Sequence, residues 1–279
     1  MNVFFTQNEL RKNLKLKPQH IGFVPTMGAL HEGHLALVKK SLEENETTVV
    51  SIFVNPTQFN NAKDLEKYPR TLETDVEKLM NISKDILVFA PNVSDIYEDK
   101  IVSQNYDFDG IEHEMEGKFR PGHFDGVGTI VKKLFEIVTP KNAYFGEKDF
   151  QQLQIVKKLV EKQRLPVNII GCPIYREKNG LAMSSRNERL SENERESAKI
   201  IYETLINVKN IFGTKNVSEI NQEVKNVFDN QGDFELEYFT IADEISLKDF
   251  TSFDKNLKYR AFIAVFVKNI RLIDNISLN

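Results

Sequence analysis

Apolar runs and amphipathic stretches alternate through the first two thirds of the chain. The apolar runs occupy residues 20–27, 47–54, 85–91 and 167–174. Between and beyond them, apolar residues recur three and four positions apart, which predicts helices, among them 124–138 and 150–163. Buried strands that alternate with helices are typical of a parallel sheet with helices on both faces. We therefore predict an α/β domain with a Rossmann-like parallel sheet.

The rhythm changes after residues 176–180. Two long helical patterns come first, and two strand-like runs follow without a strand–helix–strand alternation. These four patterns occupy 191–212, 217–229, 234–243 and 259–273. Helices followed by strands predict a separate, smaller α+β domain. We place the two domains at residues 1–175 and 176–279.

Three polar segments lie at the ends of predicted strands or just past them. They are residues 25–27, 55–58 and 146–149. Ligands of open parallel sheets bind beyond the carboxyl ends of the strands. We expect these segments to meet at one edge of the sheet.

Composition and charge narrow the class of protein. The net charge of −4 argues against a general nucleic-acid binder, which normally presents a basic face. The single cysteine, Cys172, cannot form an internal disulfide, and its apolar neighbours predict a buried thiol rather than a nucleophile. With no signal-peptide pattern and no apolar run near ~18 residues, we expect a cytoplasmic protein without a membrane segment.

The stretch "GALHEGH" (28–34) places His31 and His34 three residues apart where a strand gives way to a helix. Gly28 and Gly33 let the backbone approach a ligand closely. The free N–H groups and partial positive charge of a helix N-terminus suit a phosphate, to which imidazoles can also donate. A zinc site needs at least a third protein ligand, and the sequence nominates none. Phosphate binding, metal binding and purely structural histidines remain the alternatives.

Two further motifs suit anions but are weak alone. "GEKDFQQ" (146–152) places Lys148 and Asp149 just before a helix, although an acidic helix cap beside a solvated lysine is common. "LAMSSRNERLS" (181–191) sets two serine hydroxyls beside Arg186, which could surround a triphosphate or could form an ordinary turn and helix start.

Two segments offer polar groups for a pocket. Gln58 in "VNPTQF" carries an amide that can both donate and accept hydrogen bonds. In "KFRPGHFDG", Arg120 could hold a carboxylate or be exposed, and we expect His123 to make a local structural contact.

Taken together, the motifs closely resemble the pantothenate synthetase (pantoate–β-alanine ligase) family. The resemblance is carried by "PTMGALHEGH", "VSIFVNPTQF", "YPRTLETD", "RPGHFDGV", "AYFGEKDFQQL", "LAMSSRN" and the final "RLIDN", in that order. The first motif is of the HxGH type shared by a wider nucleotidyltransferase group. Thr57 departs from the larger apolar residue usual in the family, which we expect to affect a pocket wall and not the chemistry.

The resemblance implies an AMP-forming ligase of pantothenate and coenzyme A (vitamin B5) biosynthesis. The family joins (R)-pantoate to β-alanine with ATP, through a pantoyl adenylate, and releases AMP and pyrophosphate. No covalent enzyme nucleophile is needed, so the protein positions the substrates, stabilises charge and excludes water.

The family's functional residues map onto matching positions of this chain. His34 is assigned as the proton donor, and His31, Lys148 and Arg186 complete the expected catalytic set. Gln58 and Gln152 match the pantoate contacts, and Gln58 could also serve β-alanine. The expected ATP contacts are Met27, Gly28, Ala29, Leu30, His31, Glu32, Gly33, His34, Gly146, Glu147, Lys148, Asp149, Met183, Ser184, Ser185 and Arg186.

The resemblance also implies Mg²⁺ with the ATP and a homodimer formed through the first domain. Mg²⁺ on a nucleotide keeps mostly phosphate and water ligands, so its protein ligands are unknown from sequence; Asp75 and Asp149 are the candidates. The second domain would act as a lid over the triphosphate. We expect small-molecule substrates and no nucleic-acid partner.

Two other functions remain open. Another HxGH nucleotidyltransferase would stop at a nucleotide-linked product and would not depend on β-alanine. A non-catalytic nucleotide-binding protein would be expected to have lost His31, His34, Lys148 or Arg186, and all four are present.

Overall fold

The computed structural model describes residues 2–18, 20–59, 65–66, 68–97, 100–250 and 252–279. The chain divides into two compact units. The first comprises Met1–Glu147 and Gln152–Pro173, and the second comprises Lys148–Gln151 and Ile174–Asn279. Pro173 lies two residues before the predicted boundary. The binding and lid roles expected of the two domains stay predictions.

A parallel sheet forms the centre of the first unit. Its strands lie in the order β1-β4-β3-β2-β5-β6, and each pairing is parallel. The strands are β1 (Val3–Phe4), β2 (Ile21–Thr26), β3 (Thr47–Ile52), β4 (Leu87–Phe89), β5 (Asn142–Gly146) and β6 (Asn168–Cys172). The predicted parallel α/β sheet is confirmed.

Helices of the first unit lie between these strands. They are α1 (Gln7–Leu14), α2 (Glu32–Glu44), α3 (Leu72–Ile82), α4 (Val93–Tyr97), α5 (Met115–Phe119), α6 (His123–Val138) and α7 (Phe150–Gln163). Short 3₁₀ turns occupy Pro56–Gln58, Ile111–His113 and Glu147–Asp149. Thr6 begins α1 with a reciprocal capping box to Glu9, which satisfies backbone donors at the start of that helix.

Alternate residues of the central strands face different helices. Val24 of β2 joins a buried cluster with Val38 of α2 and Leu79 of α3. The preceding residue, Phe23, contacts Phe135 of α6 edge to face, with ring centroids 6.2 Å apart. Because successive strand residues point to opposite faces, α6 covers the face opposite α2.

The second unit packs helices against an antiparallel sheet. The helices are α8 (Glu192–Ser197), α9 (Ile200–Ile211) and α10 (Val217–Asp229), and the strands are β7 (Phe234–Asp243), β8 (Tyr259–Val267) and β9 (Ile270–Ser277). The strand order is β7-β8-β9, with antiparallel pairs. Leu205, Val224 and Ile263 are among the buried side chains of its apolar core. The predicted α+β architecture is confirmed.

Two predicted elements were wrong in extent. The single helix expected over 191–212 is interrupted at Ala198 and Lys199, where the chain tightens and the Ile201 N–H donates to the Ala198 carbonyl three residues back. The single run over 259–273 is a hairpin, because Lys268 adopts φ 54° and reverses the chain between β8 and β9. The strand β1 was not predicted, and β5 was implied only by the polar segment 146–149, without bounds of its own.

Candidate active site

Three neighbouring parallel strands end beside one another in the first unit. β3, β2 and β5 are adjacent in the sheet, and their carboxyl ends lead into the segments that begin at Phe53, Met27 and Gly146 respectively. The expected convergence of these segments at one edge of the sheet is therefore confirmed for the first unit. In open parallel sheets this edge is where ligands bind.

The loop between β2 and α2 is held from α3. The Asp75 carboxylate accepts the backbone N–H of Ala29 at 2.9 Å and that of Leu30 at 2.7 Å, and it also accepts the Thr71 hydroxyl at 3.1 Å. One turn further along α3, Lys78 Nζ donates to the Leu30 carbonyl at 2.6 Å. Asp75 is fully buried, so this clamp fixes the loop that leads into the HxGH motif.

Gly28 has a physical reason to be glycine. Its φ is 85°, a left-handed conformation that is unfavourable for residues with a Cβ. A Cβ here would also lie 3.2 Å from Asp75 Oδ2. Ala29, with φ 50°, continues the same sharp turn. The glycine therefore allows the buried carboxylate to approach the loop closely.

His31 and His34 lie against each other at the start of α2. His31 occupies the N-cap position with extended backbone, and its ring centroid lies 4.0 Å from that of His34. The His31 backbone N–H points at His34 Nδ1 at 3.4 Å. A ring nitrogen that accepts carries no proton, so neutral His34 carries its proton on Nε2. Nε2 is then the ring nitrogen of His34 that can act as a donor.

Gln58 is buried, and its backbone is fixed by residues flanking the start of α6. The Gln58 carbonyl lies 3.0 Å from His123 Nδ1 and accepts Arg120 Nη2 at 3.2 Å. A carbonyl only accepts, so His123 carries its proton on Nδ1. His123 therefore makes the structural contact expected of it. Arg120 is half-buried and binds the backbone rather than lying in solvent.

The 3₁₀ turn that contains Gln58 rests on a buried polar side chain, Asn55, whose role the sequence did not indicate. Asn55 donates to the Gly126 carbonyl at 3.2 Å and accepts the Tyr97 hydroxyl at 2.5 Å. Thr57 Oγ1 lies 3.2 Å from Asn55 Oδ1 and 3.1 Å from the Tyr97 hydroxyl. The threonine therefore joins this hydrogen-bond network, which accounts for a polar residue at a position where an apolar one was expected.

Gln152, the other expected pantoate contact, lies in the first turn of α7. It is half-buried and belongs to the first unit, as does Gln58. Gly146 closes β5, and Glu147 begins the 3₁₀ turn that follows. The first unit thus contains the expected residues from Met27 to His34, both glutamines, Gly146 and Glu147.

The second unit has a concavity of its own that is lined by three of the other expected site residues. They are Ser184 and Arg186, which are two residues apart, and Lys148, which is distant from both in sequence. Its remaining lining residues are Leu181, Ala182, Asn187, Ile201, Arg271, Leu272, Ile273 and Asp274. The Lys148 side chain is 16% exposed, and its Nζ lies 3.8 Å from Asp149 Oδ1.

Internal ion pairs decide which charges of this concavity remain for a ligand. Arg271 Nε donates to Glu237 at 2.8 Å, and Arg176 forms a two-bond pair with Asp274 at 2.6 and 3.0 Å. Burial raises the pKa of Asp274, and the pair with Arg176 opposes that shift. Arg186, together with Lys148, whose ammonium group also lies 3.8 Å from the exposed Asp149 carboxylate, then supplies the positive charge that suits an anionic ligand.

The serine-rich segment is an ordered turn. Ser184 caps a 3₁₀ turn over Ser185–Arg189 by accepting the Arg186 N–H at 3.3 Å. Buried Asn187 donates to Glu177 at 2.7 Å and to the Ala182 carbonyl at 3.1 Å. Met183 N–H donates to the Tyr175 carbonyl at 2.9 Å, so both ends of the segment are fixed.

The alternative of a zinc site finds no support in the described part of the chain. There, no three His, Cys, Asp or Glu side chains cluster as a metal ion requires. Asp75, a candidate for Mg²⁺, has both oxygens engaged by backbone N–H groups and fits a loop anchor better than a ligand. The Asp149 side chain is 51% exposed, so its carboxylate stays a candidate ligand for Mg²⁺.

Comparisons with known proteins identify the family of this chain. The family model described as pantoate-beta-alanine ligase matches residues 2–277. The chain belongs to this family. A pantothenate synthetase of Flavobacterium psychrophilum is 62% identical, with 100% of each chain covered.

Solved structures of pantoate-β-alanine ligases share the fold. The pantothenate synthetase of Thermus thermophilus is 38% identical, with a TM-score of 0.90 and coverage of 100% of this chain and 99% of that one. The pantoate-β-alanine ligase of Francisella tularensis, complexed with beta-gamma ATP and β-alanine, is 36% identical, with a TM-score of 0.81 and coverage of 100% and 98%.

Sequence reasoning named Asp75 only as a candidate Mg²⁺ ligand, and it missed the roles of several other residues that build the site. Asp75, Lys78 and Asn55 form hydrogen bonds with backbone atoms. Arg271 and Asp274 line the concavity of the second unit. The "RLIDN" motif contained the last two, but no property of its letters indicated a pocket.

In the described residues no helix combines the length and apolar character that crossing a membrane requires.

Proposed function

We propose that the chain condenses (R)-pantoate with β-alanine at the expense of ATP, giving pantothenate, AMP and pyrophosphate. The observation that carries the proposal is the HxGH loop, fixed by Asp75 and Lys78, in a chain of the pantoate-β-alanine ligase family. The 62% identity to a pantothenate synthetase over its whole length supports the same substrates.

The reaction has two displacements. A pantoate carboxylate oxygen attacks the α-phosphorus of ATP, and the bond to pyrophosphate breaks. The β-alanine amine then attacks the acyl carbon of the adenylate, the bond to AMP breaks, and the amine loses its proton to solvent. Neither step forms a bond to the enzyme, so the protein acts through position and charge.

The first unit supplies the residues that we assign to the nucleotide and to pantoate. The start of α2 offers N–H groups to phosphate oxygens, and His34 Nε2–H donates to charge that develops as pyrophosphate leaves. Gln58, with its backbone fixed by His123 and Arg120, and Gln152 are assigned to pantoate.

The second unit supplies the residues that we assign to the triphosphate. Lys148 and Arg186 offset its charge, and Ser184, which lines the same concavity, donates a hydroxyl hydrogen bond. Ser185, at the start of the adjoining 3₁₀ turn, is assigned the same role. We further propose that this unit acts as a lid over the nucleotide, with the Met183–Arg186 segment as its contact. Water exclusion by such a lid would protect the acyl adenylate from hydrolysis.

Mg²⁺ is proposed to arrive as part of the MgATP substrate. Asp149 carries an exposed carboxylate that fits a ligand for it, whereas Asp75 does not. When bound, the ion would neutralise phosphate charge.

We also propose that the protein acts as a cytoplasmic homodimer. The resemblance of its motifs to the family supports the dimer. Light scattering of the purified chain at micromolar concentration tests this, and a mass near 32.2 kDa would contradict it.

The experiment that tests the function measures AMP and pyrophosphate release from MgATP and (R)-pantoate, with and without β-alanine. We expect multiple turnovers and pantothenate only when both are present. Turnover that ignores β-alanine would favour another HxGH nucleotidyltransferase. Tight ATP binding without any release would favour a non-catalytic nucleotide-binding protein.

A further inference from the structure

Lys148 is tied to the sheet of the second unit by a side chain 127 residues away. Asn275, on β9, donates from Nδ2 to the Lys148 carbonyl at 2.9 Å. Asn275 is 2% exposed, so this bond is shielded from water. A buried amide that bonds the backbone of a single turn restrains that turn directly.

Asn275 is itself held on several sides. Arg260 Nη1 donates to its side-chain oxygen at 2.6 Å, and its own backbone N–H donates to Asp274 at 2.7 Å. The amide orientation follows from these partners, because the oxygen must face the guanidinium and the nitrogen must face the Lys148 carbonyl. The donor that binds Lys148 is therefore oriented by the second unit's own structure.

Arg260 also contacts Phe150, the residue that follows this turn. Its guanidinium carbon lies 4.0 Å from the centre of the Phe150 ring, and its Nε donates to Glu244 at 2.8 Å. Phe150 also contacts Phe262 of β8, with ring centroids 5.9 Å apart. Contacts on residues 148 and 150 together fix the direction in which the Lys148 side chain leaves the backbone.

We propose that Asn275 is a positioning residue for Lys148. It sets the backbone of the turn so that the ammonium group is presented in the concavity shared with Ser184 and Arg186. This inference rests on the proposed function, in which Lys148 offsets triphosphate charge. A displacement of about 1 Å at such a group can cost on the order of 10²-fold in rate, even when the altered residue touches no substrate.

The test uses Asn275→Asp in the full chain. The carboxylate keeps an acceptor for Arg260 but loses the donor that binds the Lys148 carbonyl, and it places a charged oxygen against that carbonyl. Pantoate-dependent exchange of pyrophosphate into ATP reports the first displacement, and a thermal melt reports the fold. We expect the kcat of exchange to fall by about 10- to 100-fold, with a smaller change in the KM for pantoate.

A double-substitution cycle separates positioning from a structural role. In a Lys148→Ala background, Asn275→Asp should change the exchange rate by less than about 3-fold, because the group that it positions is gone. Asn275→Ala serves as a second variant if the aspartate fails to fold. The matched control is Asn279→Asp, since Asn279 likewise donates to a carbonyl, that of Leu257, and accepts the Tyr259 N–H.

The outcomes are distinct. An equal loss with and without the lysine, or a loss that Asn279→Asp reproduces, would overturn the inference in favour of a structural role. Full exchange by Lys148→Ala alone would overturn the role of the lysine and this inference with it. Inactivity of the unsubstituted chain with pantoate would instead refute the proposed function.

Discussion

The carboxylate of Asp75 accepts the backbone N–H of Leu30 at 2.7 Å, across 45 residues of sequence. The same carboxylate accepts the N–H of Ala29, so a single buried side chain satisfies two donors of an otherwise irregular loop. An unpaired buried N–H costs about 1–3 kcal/mol, which explains why an anion is retained in the interior here. The two bonds set the direction from which the chain enters α2 and its two histidines.

Asp75→Asn should impair both stability and rate. The amide oxygen can replace one acceptor, but the amide nitrogen then faces a backbone donor. We expect a loss of about 1–3 kcal/mol in the free energy of unfolding. The rate of pantoate-dependent exchange should fall by about 10-fold or more, because the loop before His31 is no longer held in position by the Asp75 carboxylate. Urea denaturation and the exchange assay measure the two effects.

Glu73→Gln is the control for that substitution. Glu73 lies in the same first turn of α3 but is exposed, so its neutralisation should change neither quantity appreciably. If Asp75→Asn retained the full exchange rate despite a lower stability, the loop clamp would have no part in the reaction.

His34→Ala should reduce adenylate formation much more than stability. Removing one group that stabilises developing charge typically costs about 10²-fold in rate. The hydrogen bond lost from the His31 N–H is long, at 3.4 Å, so unfolding should change by less than about 1 kcal/mol. Single-turnover formation of pantoyl adenylate measures the effect. His113→Ala is the control, since the His113 side chain is 80% exposed; near-normal turnover by His34→Ala would refute the role given to that residue.

Arg186→Ala should raise the KM for ATP and lower kcat while the fold stays intact. Arg186 is half-buried and lines the concavity of the second unit together with Lys148. Its loss removes a charge that suits phosphate. Arg189→Ala, at an exposed position of the same 3₁₀ turn, provides the control. Steady-state kinetics distinguish the two variants, and equal behaviour would mean that charge near the turn, rather than the position of Arg186, matters.

Much of the fold could be predicted because its strands and helices carry strong local patterns. The helices over 150–163 and 217–229 occur with the predicted bounds, and the apolar run at 47–54 contains β3. In long amphipathic helices, apolar residues recur three and four positions apart, and buried parallel strands are apolar throughout. The parallel sheet and the smaller α+β unit follow from the order of these patterns.

The errors and omissions have a common physical cause. The turn at Lys268 and Asn269 has no glycine or proline and is only two residues long, so it interrupts the apolar run too briefly to separate two strands in the sequence pattern. Asp75, Asn55 and Asn275 act on backbone atoms of segments distant in sequence, and such partners are set by tertiary packing alone. The motifs named the residues expected to touch substrates, whereas the positioning roles of Asp75, Asn55 and Asn275 could not be predicted from them.

The thiol of Cys172 should be unreactive in the native protein at neutral pH. It ends β6, it is 4% exposed, and burial raises its pKa to about 11, with smaller opposing and reinforcing effects of Lys40 and Glu44. Since alkylation requires the thiolate, iodoacetamide at pH 8 should modify Cys172 slowly in native protein and quickly in urea. Activity should survive that native treatment.

The same group predicts a difference in alkaline stability. Its folded pKa lies above the unfolded value, so the thiol favours the folded state below pH 9, and that contribution is lost as the pH rises toward 11. Cys172→Ala should therefore lose less stability than the unsubstituted chain between pH 9 and 11. Urea midpoints across this window measure the difference, and it isolates Cys172 from the lysines and tyrosines that titrate in both proteins. Parallel midpoint curves, together with rapid native alkylation at pH 8, would mean that the thiol ionises as freely in the fold as in the unfolded chain.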